Sequence, residues 1–164
     1  MARFSPEKDY ETLIEAFKEV RKKRDVNLLL LGDGPDRKKI VNKIFEEDLS
    51  SSILAPGFIA NPFSLMASAS VFVLSSFEEG MPNALLQALC LGIPVVSTDC
   101  NFGPREILSN GSIGALVEIG DFRGMAKSIE DGLDGKLVTM PEKDFDNKYS
   151  MQVVMNFYKN ILNK

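Results

Sequence analysis

The chain has 164 residues, 45% hydrophobic and 26% charged, which suits one globular domain with a core of normal size. Its formal net charge of −4 argues against a nucleic-acid binder that relies on bulk charge, so no nucleic-acid partner is expected. The sequence contains no histidine, which excludes Ser-His-Asp and Cys-His nucleophilic catalysis within this chain and argues against a zinc site.

Strand and helix patterns alternate in the first half of the chain. Ser5 as the N-cap and Pro6 at the first helical position predict the opening helix, whose apolar residues recur at helical spacing up to Val20. The remaining predicted elements of this half are a buried strand at Leu28–Leu31, a helix opened by Pro35, a short strand at 53–54 that ends before Pro56, and a short helix opened by Asn61 and Pro62.

The same alternation continues in the second half. The predicted elements are a strand at 71–74, a helix at 83–91, a strand at 94–98, a short helix at 104–108, a strand at 115–118, a helix capped by Asp121 and, after a linker at 135–147, a terminal helix with Val153, Val154, Phe157 and Ile161 on one face. Strands that are apolar on both faces and alternate with helices predict an α/β fold, a doubly wound parallel sheet of Rossmann type that spans residues 1–164.

Ligands of such sheets bind beyond the carboxyl ends of the strands. Turn and charged residues follow two of the predicted strands there: Gly32, Asp33, Gly34, Glu79 and Gly80. Arg3 and Lys8 stand where a still earlier strand would end, and the helix that starts near Asn83 offers backbone N–H groups to an anion. Two cations, a helix start and a carboxylate suit a diphosphate joined to a hydroxyl-rich group.

Taken singly, each of these features also has an ordinary structural interpretation. The turn at Gly32 lacks the third glycine of a dinucleotide fingerprint and the Gly-Lys-Ser/Thr of a Walker loop. Arg3 and Lys8 fit ordinary surface charges, and Glu79 fits a carboxylate favoured by the helix dipole. Only the combination of these features indicates a ligand site.

Several segments together carry a family resemblance. They are 57–62, the run 71–86 with Glu78-Glu79-Gly80-Met81-Pro82-Asn83, 92–100 and 103–108. In this order and spacing they closely resemble the C-terminal domain of family-four retaining glycosyltransferases of group 1 type, which have the GT-B fold of two Rossmann-like domains facing a cleft. The chain is therefore expected to be one half of a GT-B fold.

The resemblance implies roles for individual residues. Arg3 and Lys8 match the basic pair that grips the donor diphosphate, and Glu79 matches the glutamate that contacts the donor sugar; these three are the candidate catalytic residues. The candidate donor-binding residues are Gly80, Met81, Pro82 and Asn83 in the diphosphate loop, Gly32, Asp33 and Gly34 near the nucleotide, and Leu54 in the region of the base.

The chain departs from the family pattern at two places. Gln87 stands where the family usually has a glutamate that accepts hydrogen bonds from ribose, which predicts weakened nucleotide affinity because the charge is lost. The strand that should precede Arg3 is reduced to Met1 and Ala2, so the domain is expected to lack its first, central strand. We expect a truncated chain whose gap is closed by sliding neighbours or by another chain.

The function implied by the resemblance is the donor-binding half of a retaining hexosyltransferase that uses a nucleoside-diphosphate sugar, often a UDP-sugar, with no cofactor and no metal. An N-terminal acceptor domain is missing, so the isolated chain is expected to be nearly inactive. The resemblance leaves open whether the full enzyme also associates with a membrane surface.

Two other functions compete with this one. The main alternative is a non-catalytic or regulatory nucleotide-sugar-binding module with an eroded site. A phosphoacceptor receiver domain fits poorly, because the turn at Glu79 has no place there.

The expected compartment is the cytoplasm. The sequence shows no apolar run of the ~18 residues that a membrane span needs and no signal-peptide pattern. Its two cysteines, Cys90 and Cys100, fit a reducing compartment better than a disulfide framework.

Overall fold

The structure, a computed structural model, describes residues 2–141. The strands are β1 (Leu28–Leu31), β2 (Ile53–Gly57), β3 (Phe72–Leu74), β4 (Val95–Thr98) and β5 (Ala115–Val117). The α-helices are α1 (Tyr10–Arg21), α2 (Arg37–Glu46), α3 (Phe63–Ala67), α4 (Asn83–Cys90), α5 (Pro104–Ile107) and α6 (Phe122–Leu133), with short 3₁₀ turns at Pro6–Lys8 and Ser109–Gly111. This alternation is the predicted α/β architecture, while the predicted terminal helix lies outside the described residues.

The strands form two parallel sheets. In the first, β1 pairs with β2, with Leu28 opposite Ile53. In the second, β4 lies between β3 and β5. Within residues 2–141 a gap therefore separates β1 from β3, and the closure of such a gap by sliding neighbours, which was one expectation from the sequence, is not observed.

Helices cover the sheets with apolar side chains at helical spacing. The larger core cluster joins α1 and α6 to the strands and includes Ile14, Val20, Val96 and Met125, all fully buried. A second cluster packs α4 and α5 on the other sheet, with Leu85 and the neighbouring apolar residues at its centre. No helix within residues 2–141 is long and apolar enough to cross a membrane.

The segment before α1 runs beside the carboxyl end of β1. The N–H of Ala2 donates to the carbonyl of Leu31 at 2.9 Å, and the N–H of Phe4 donates to the carbonyl of Asp33 at 2.9 Å. A Cβ at Gly32 would lie 1.8 Å from the carbonyl oxygen of Ala2, and one at Gly34 would lie 2.4 Å from that of Phe4. Both glycines are therefore needed for this close backbone approach.

The start of α1 differs from the sequence-based expectation. Ser5 and Pro6 begin a 3₁₀ turn at Pro6–Lys8 instead, and the side chain of Ser5 caps no helix. Asp9 is the N-cap of α1, with a left-handed backbone at φ 44° and a carboxylate that accepts from the N–H of Thr12 at 3.1 Å. Asp9 can cap α1 because the 3₁₀ turn ends at Lys8, directly before it.

The second strand also differs from its expected length. Pro56 was expected to lie beyond its end, but β2 continues through Pro56 to Gly57. Proline is compatible with an edge strand, where its missing N–H costs no ladder bond.

Candidate functional site

Lys8 and Glu79 meet at the carboxyl rim, which is the side of the molecule where the parallel strands end. They are 71 residues apart in sequence, yet the ammonium of Lys8 donates to Oε1 of Glu79 at 2.7 Å. Their side chains are 18% and 9% exposed. The hydroxyl of Ser76 donates to the same oxygen at 2.6 Å. The pair is thus largely withdrawn from water, which strengthens its electrostatic attraction.

The residues around this pair hold it in place. The hydroxyl of Ser75 donates to the carbonyl of Lys8 at 2.7 Å, and the N–H of Phe77 donates to the carbonyl of Glu7 at 2.8 Å. Behind them, the hydroxyl of Thr98 donates to the carbonyl of Ser76 at 2.6 Å. The loop after β3 is therefore fastened on one side to the 3₁₀ turn and on the other to β4.

The loop from Gly80 to Asn83 leads into α4 and supplies backbone donors. The N–H of Asn83 already donates to the carbonyl of Met81 at 2.8 Å. The N–H groups of Gly80, Met81 and Ala84 donate to no residue in the described range. A Cβ placed on Gly80 would meet nothing within 4 Å, so the loop has open space beside it. An anion can approach these amides and the positive end of the α4 dipole.

The loop after β4 lies against this one. Glu78 and Asn101 form an isolated parallel bridge, and a Cβ on Gly103 would lie 2.5 Å from the ring of Pro82. Asp99 forms an ion pair with Arg105 that holds the base of the loop. The two loops therefore form one continuous wall of the rim.

Arg3 lies on the same segment as Lys8 and is exposed. The hydrogen bond from the hydroxyl of Ser5 lowers the pKa of Glu7, and the positive charges of Lys8 and Arg3 add to that effect. Within residues 2–141 the guanidinium of Arg3 has no hydrogen-bond or ion-pair partner. It is thus a charged group near Lys8 that can bind an anion.

The turn Gly32-Asp33-Gly34 reaches the rim beside residues 2–4. The carboxylate of Asp33 accepts from the N–H of Gly34 at 2.8 Å, and its side chain is 64% exposed. Because both glycines are explained by the approach of Ala2 and Phe4, their conformation by itself says nothing about a ligand.

Gln87 carries an unsatisfied polar atom. Its side-chain oxygen Oε1 is buried and has no hydrogen-bond partner among the described residues. Such a buried acceptor without a partner is rare in proteins and calls for an explanation. A ligand hydroxyl that reaches this oxygen would supply the missing donor.

Leu54 is not brought to the rim. It is the second residue of β2, three residues before the strand ends at Gly57, and it lies opposite Leu29 in β1. Phe58 follows the strand end directly and is 76% exposed, so it offers an aromatic face at the rim.

Sequence reasoning did not anticipate the hydrogen bond from Ser76 to Glu79 or the exposed ring of Phe58. Phe58 directly follows β2 and Ser76 follows β3 by two residues, and this position after a strand was the available indication in the sequence.

The rim as a whole presents two cations, free backbone amides and a carboxylate bridged to one of the cations. The cations and amides can bind the oxygens of a diphosphate, and a carboxylate accepts hydrogen bonds from hydroxyl groups. This arrangement suits a ligand that carries both kinds of group.

Comparison with known proteins finds glycosyltransferases that are similar to this chain. A family model described as "Glycosyl transferases group 1" matches residues 1–134. The uncharacterized glycosyltransferase MJ1059 of Methanocaldococcus jannaschii is 39% identical over 109 residues, covering 66% of this chain and 27% of that protein. The lipopolysaccharide core biosynthesis glycosyltransferase LpsE of Rhizobium meliloti is 31% identical over 167 residues, covering 99% of this chain and 48% of that protein. The chain thus spans less than half the length of these relatives.

Solved structures show the same fold at lower identity. A variant of TarM from Staphylococcus aureus, in complex with Fondaparinux, alpha-GlcNAc-glycerol and UDP, superposes with a TM-score of 0.89 at 23% identity, over 99% of this chain and 34% of that chain. Alr3699/HepE of Anabaena, in complex with UDP and glucose, gives a TM-score of 0.86 at 21% identity, over 100% and 47%. The described architecture is that of a Rossmann-like half of a GT-B fold.

Proposed function

The chain belongs to the glycosyl transferases group 1 family, and on that premise we propose that it is the donor-binding half of a retaining glycosyltransferase. The enzyme transfers a hexose from a nucleoside-diphosphate sugar to a glycan, lipid or protein acceptor. The donor is proposed to be a UDP-sugar, since TarM and HepE were both solved in complex with UDP. No cofactor is proposed.

The observation that carries the proposal is the ion pair between Lys8 and Glu79 beside the open amides of Gly80 and Met81. A buried ion pair contributes little to stability compared with apolar residues of the same size, so stability alone does not explain this one. A diphosphate bound to the amides lies close enough for Lys8 to turn to it. Glu79 is then free to accept hydrogen bonds from the sugar.

The proposed chemistry depends on stabilising the leaving diphosphate. As the bond from the sugar to the phosphate breaks, negative charge builds up on the diphosphate oxygens. Once Lys8 has turned to the bound diphosphate, Lys8, Arg3 and the amides at the start of α4 face that charge before it forms, which lowers the barrier without further reorganisation in the chemical step. We propose retention of anomeric configuration from the family resemblance.

The nucleoside is proposed to lie farther along the rim. The orphaned oxygen of Gln87 accepts a hydrogen bond from a ribose hydroxyl. Phe58, directly after β2, contacts the base, in the region that the sequence assigned to Leu54.

The acceptor site is proposed to belong to another domain, since the chain spans 27% and 48% of the two relatives. Both substrates must be held together for reaction, so we expect little or no turnover from these 164 residues alone. We propose the cytoplasm as the compartment, in keeping with the free thiols of Cys90 and Cys100.

Calorimetric titration with UDP tests donor binding. Lys8→Ala should weaken UDP binding at least about tenfold, because a charge-assisted contact is lost. Gly80→Ala should also weaken UDP binding, because the added Cβ would lie in the open space beside the loop amides. It should leave Tm unchanged, because that Cβ meets no protein atom within 4 Å. Lys22→Ala is the matched control, since Lys22, directly after α1, forms an exposed ion pair with Glu19 of that helix. If UDP binds Lys8→Ala and Gly80→Ala as tightly as the control, the proposal is wrong.

The role of Glu79 is tested by comparing UDP with UDP-glucose, UDP-galactose and their N-acetyl derivatives. Glu79→Gln should lose most of the extra affinity for the best UDP-sugar and keep most of the affinity for UDP. Equal losses for both ligands would show that Glu79 does not contact the sugar.

A further inference from the structure

Phe102 is an exposed aromatic residue in the loop between β4 and α5. It is 76% exposed, and its backbone is left-handed with φ 63°. Among residues 2–141, five non-glycine residues have a positive φ, and Phe102 is the one aromatic among them. This conformation is an outlier for a bulky residue, and it persists only where the surrounding structure imposes it. Neither burial nor backbone preference therefore explains a phenylalanine at this position.

The two neighbours of this phenylalanine are fixed to the loop that follows β3. Asn101, directly before it, forms the isolated parallel bridge with Glu78. A Cβ on Gly103, directly after it, would lie 2.5 Å from Cδ of Pro82 and 3.5 Å from the carbonyl oxygen of Gly80. The aromatic ring is thus held one residue away from the contact between the two loops.

This position places the ring beside the proposed donor site. Gly80 carries one of the loop amides that have no partner in the described range, and the next residue, Met81, is 64% exposed. Burial raises the pKa of the Cys100 thiol at the start of the other loop, and the negative charge of Glu79 acts in the same direction. The carboxylate of Glu79 therefore lies close to the loop that carries the ring.

The groups around this point combine a polar and an apolar surface. The carboxylate of Glu79 accepts hydrogen bonds, whereas Phe102 and Met81 offer apolar side chains. A pyranose has the matching combination, with hydroxyl groups around its edge and C–H groups on its faces. Ligand sites typically pair aromatic surface with a few placed polar groups. A hexose whose hydroxyls meet Glu79 has a C–H face left for an apolar contact.

We propose that Phe102 is a specificity-determining residue of the donor site and that its ring packs on a C–H face of the transferred hexose. This inference rests on the proposed function and adds to it a residue that distinguishes one hexose from another. An axial hydroxyl on the packed face would hold the sugar away from the ring. The site should therefore discriminate between hexoses that differ in configuration at a single carbon.

Calorimetry with UDP and with UDP-glucose, UDP-galactose and their N-acetyl derivatives tests this role. Phe102→Asn removes the ring and introduces a residue that tolerates a left-handed backbone. Phe102→Tyr keeps the ring. Phe45→Asn is the matched control, because Phe45 is also 76% exposed but lies next to the last residue of α2, at the end of that helix far from the rim.

Phe102→Asn should weaken binding of the best UDP-sugar about tenfold, as expected from losing the partial burial of one ring, and leave the affinity for UDP unchanged. Its preference among the four sugars should shrink accordingly. Phe102→Tyr and Phe45→Asn should bind all ligands like the parent chain. The Tm of Phe102→Asn should not fall, because the ring contributes strain rather than packing.

Unchanged binding of the best UDP-sugar by Phe102→Asn overturns the proposal. So does an equal loss for UDP and for the UDP-sugar, or a lower Tm, since either would give the ring a structural role. A parent chain that binds none of these ligands would refute the proposed function and this inference with it. A parent chain that binds UDP but gains no affinity from any of the sugars would refute this inference alone.

Discussion

The contact between Lys8 and Glu79 gives a prediction that can be worked through quantitatively. Oε1 of Glu79 accepts from Lys8 at 2.7 Å and from Ser76 at 2.6 Å, with only 9% of the glutamate side chain exposed. Lys8→Met removes the balancing charge and leaves a largely buried carboxylate with a hydroxyl donor. We expect this variant to lose about 2 kcal/mol of unfolding free energy, below the full cost of breaking a wholly buried pair because Lys8 still reaches water.

A double-mutant cycle separates the pair from the rest of the fold. Lys8→Met, Glu79→Gln and the double variant are unfolded in urea without ligand, and their unfolding free energies are compared. We expect a coupling free energy of about 1.5 kcal/mol and a drop in Tm of about 4–8 °C for Lys8→Met. The exposed pair Lys22–Glu19 provides the control cycle and should show no resolvable coupling. A coupling below about 0.3 kcal/mol between Lys8 and Glu79 would refute the burial argument.

Three further outcomes are expected. Gln87→Glu should bind UDP several-fold more tightly than the parent chain in calorimetry, because a carboxylate is the stronger acceptor; unchanged or poorer affinity would refute the ribose contact. Gly34→Ala should lower the unfolding free energy measured in urea by more than about 2 kcal/mol, since its Cβ would lie 2.4 Å from a backbone oxygen, and a stable variant would contradict that close approach. Hydrogen bonds from Lys18 and Lys43 lower the pKa of Glu47 from 4.5, so its stabilisation is present above that value and lost as pH falls through the lowered pKa. Glu47→Gln should therefore lose less Tm than the parent chain between about pH 6 and about pH 3, and parallel losses would exclude the effect.

The sequence was sufficient to predict the order of strands and helices and the meeting of distant residues at one rim. Apolar runs such as Leu28–Leu31 favour strands, although Leu29 is still 38% exposed here, and parallel strands bring their carboxyl ends together. For that reason the neighbourhood of Lys8 and Glu79, 71 residues apart, could be expected once Lys8 was placed where a still earlier strand would end. The resemblance to a known family then implied a role for each of these residues.

Other features depend on contacts that no local pattern encodes. The 3₁₀ turn and the left-handed Asp9 arise where residues 2–8 are bonded to β1 on one side and to the loop after β3 on the other. Ser5 and Pro6 match the usual pattern of a helix start. With these tertiary contacts, however, α1 is capped by Asp9, four residues after Ser5. Likewise, nothing local distinguishes Leu54 from Phe58 until the end of β2 is known.

The bonds made by residues 2–8 also determine the order in which the molecule can assemble. Each sheet is built from strands that follow closely in the chain, whereas Ser75 and Lys8 are 67 residues apart. Closing so long a loop costs entropy before any contact repays it, so the two sheets should form early and their junction late. The residues proposed to bind the diphosphate lie at that junction. Their geometry should therefore be the last part of the protein to appear during refolding and the first to be lost on heating.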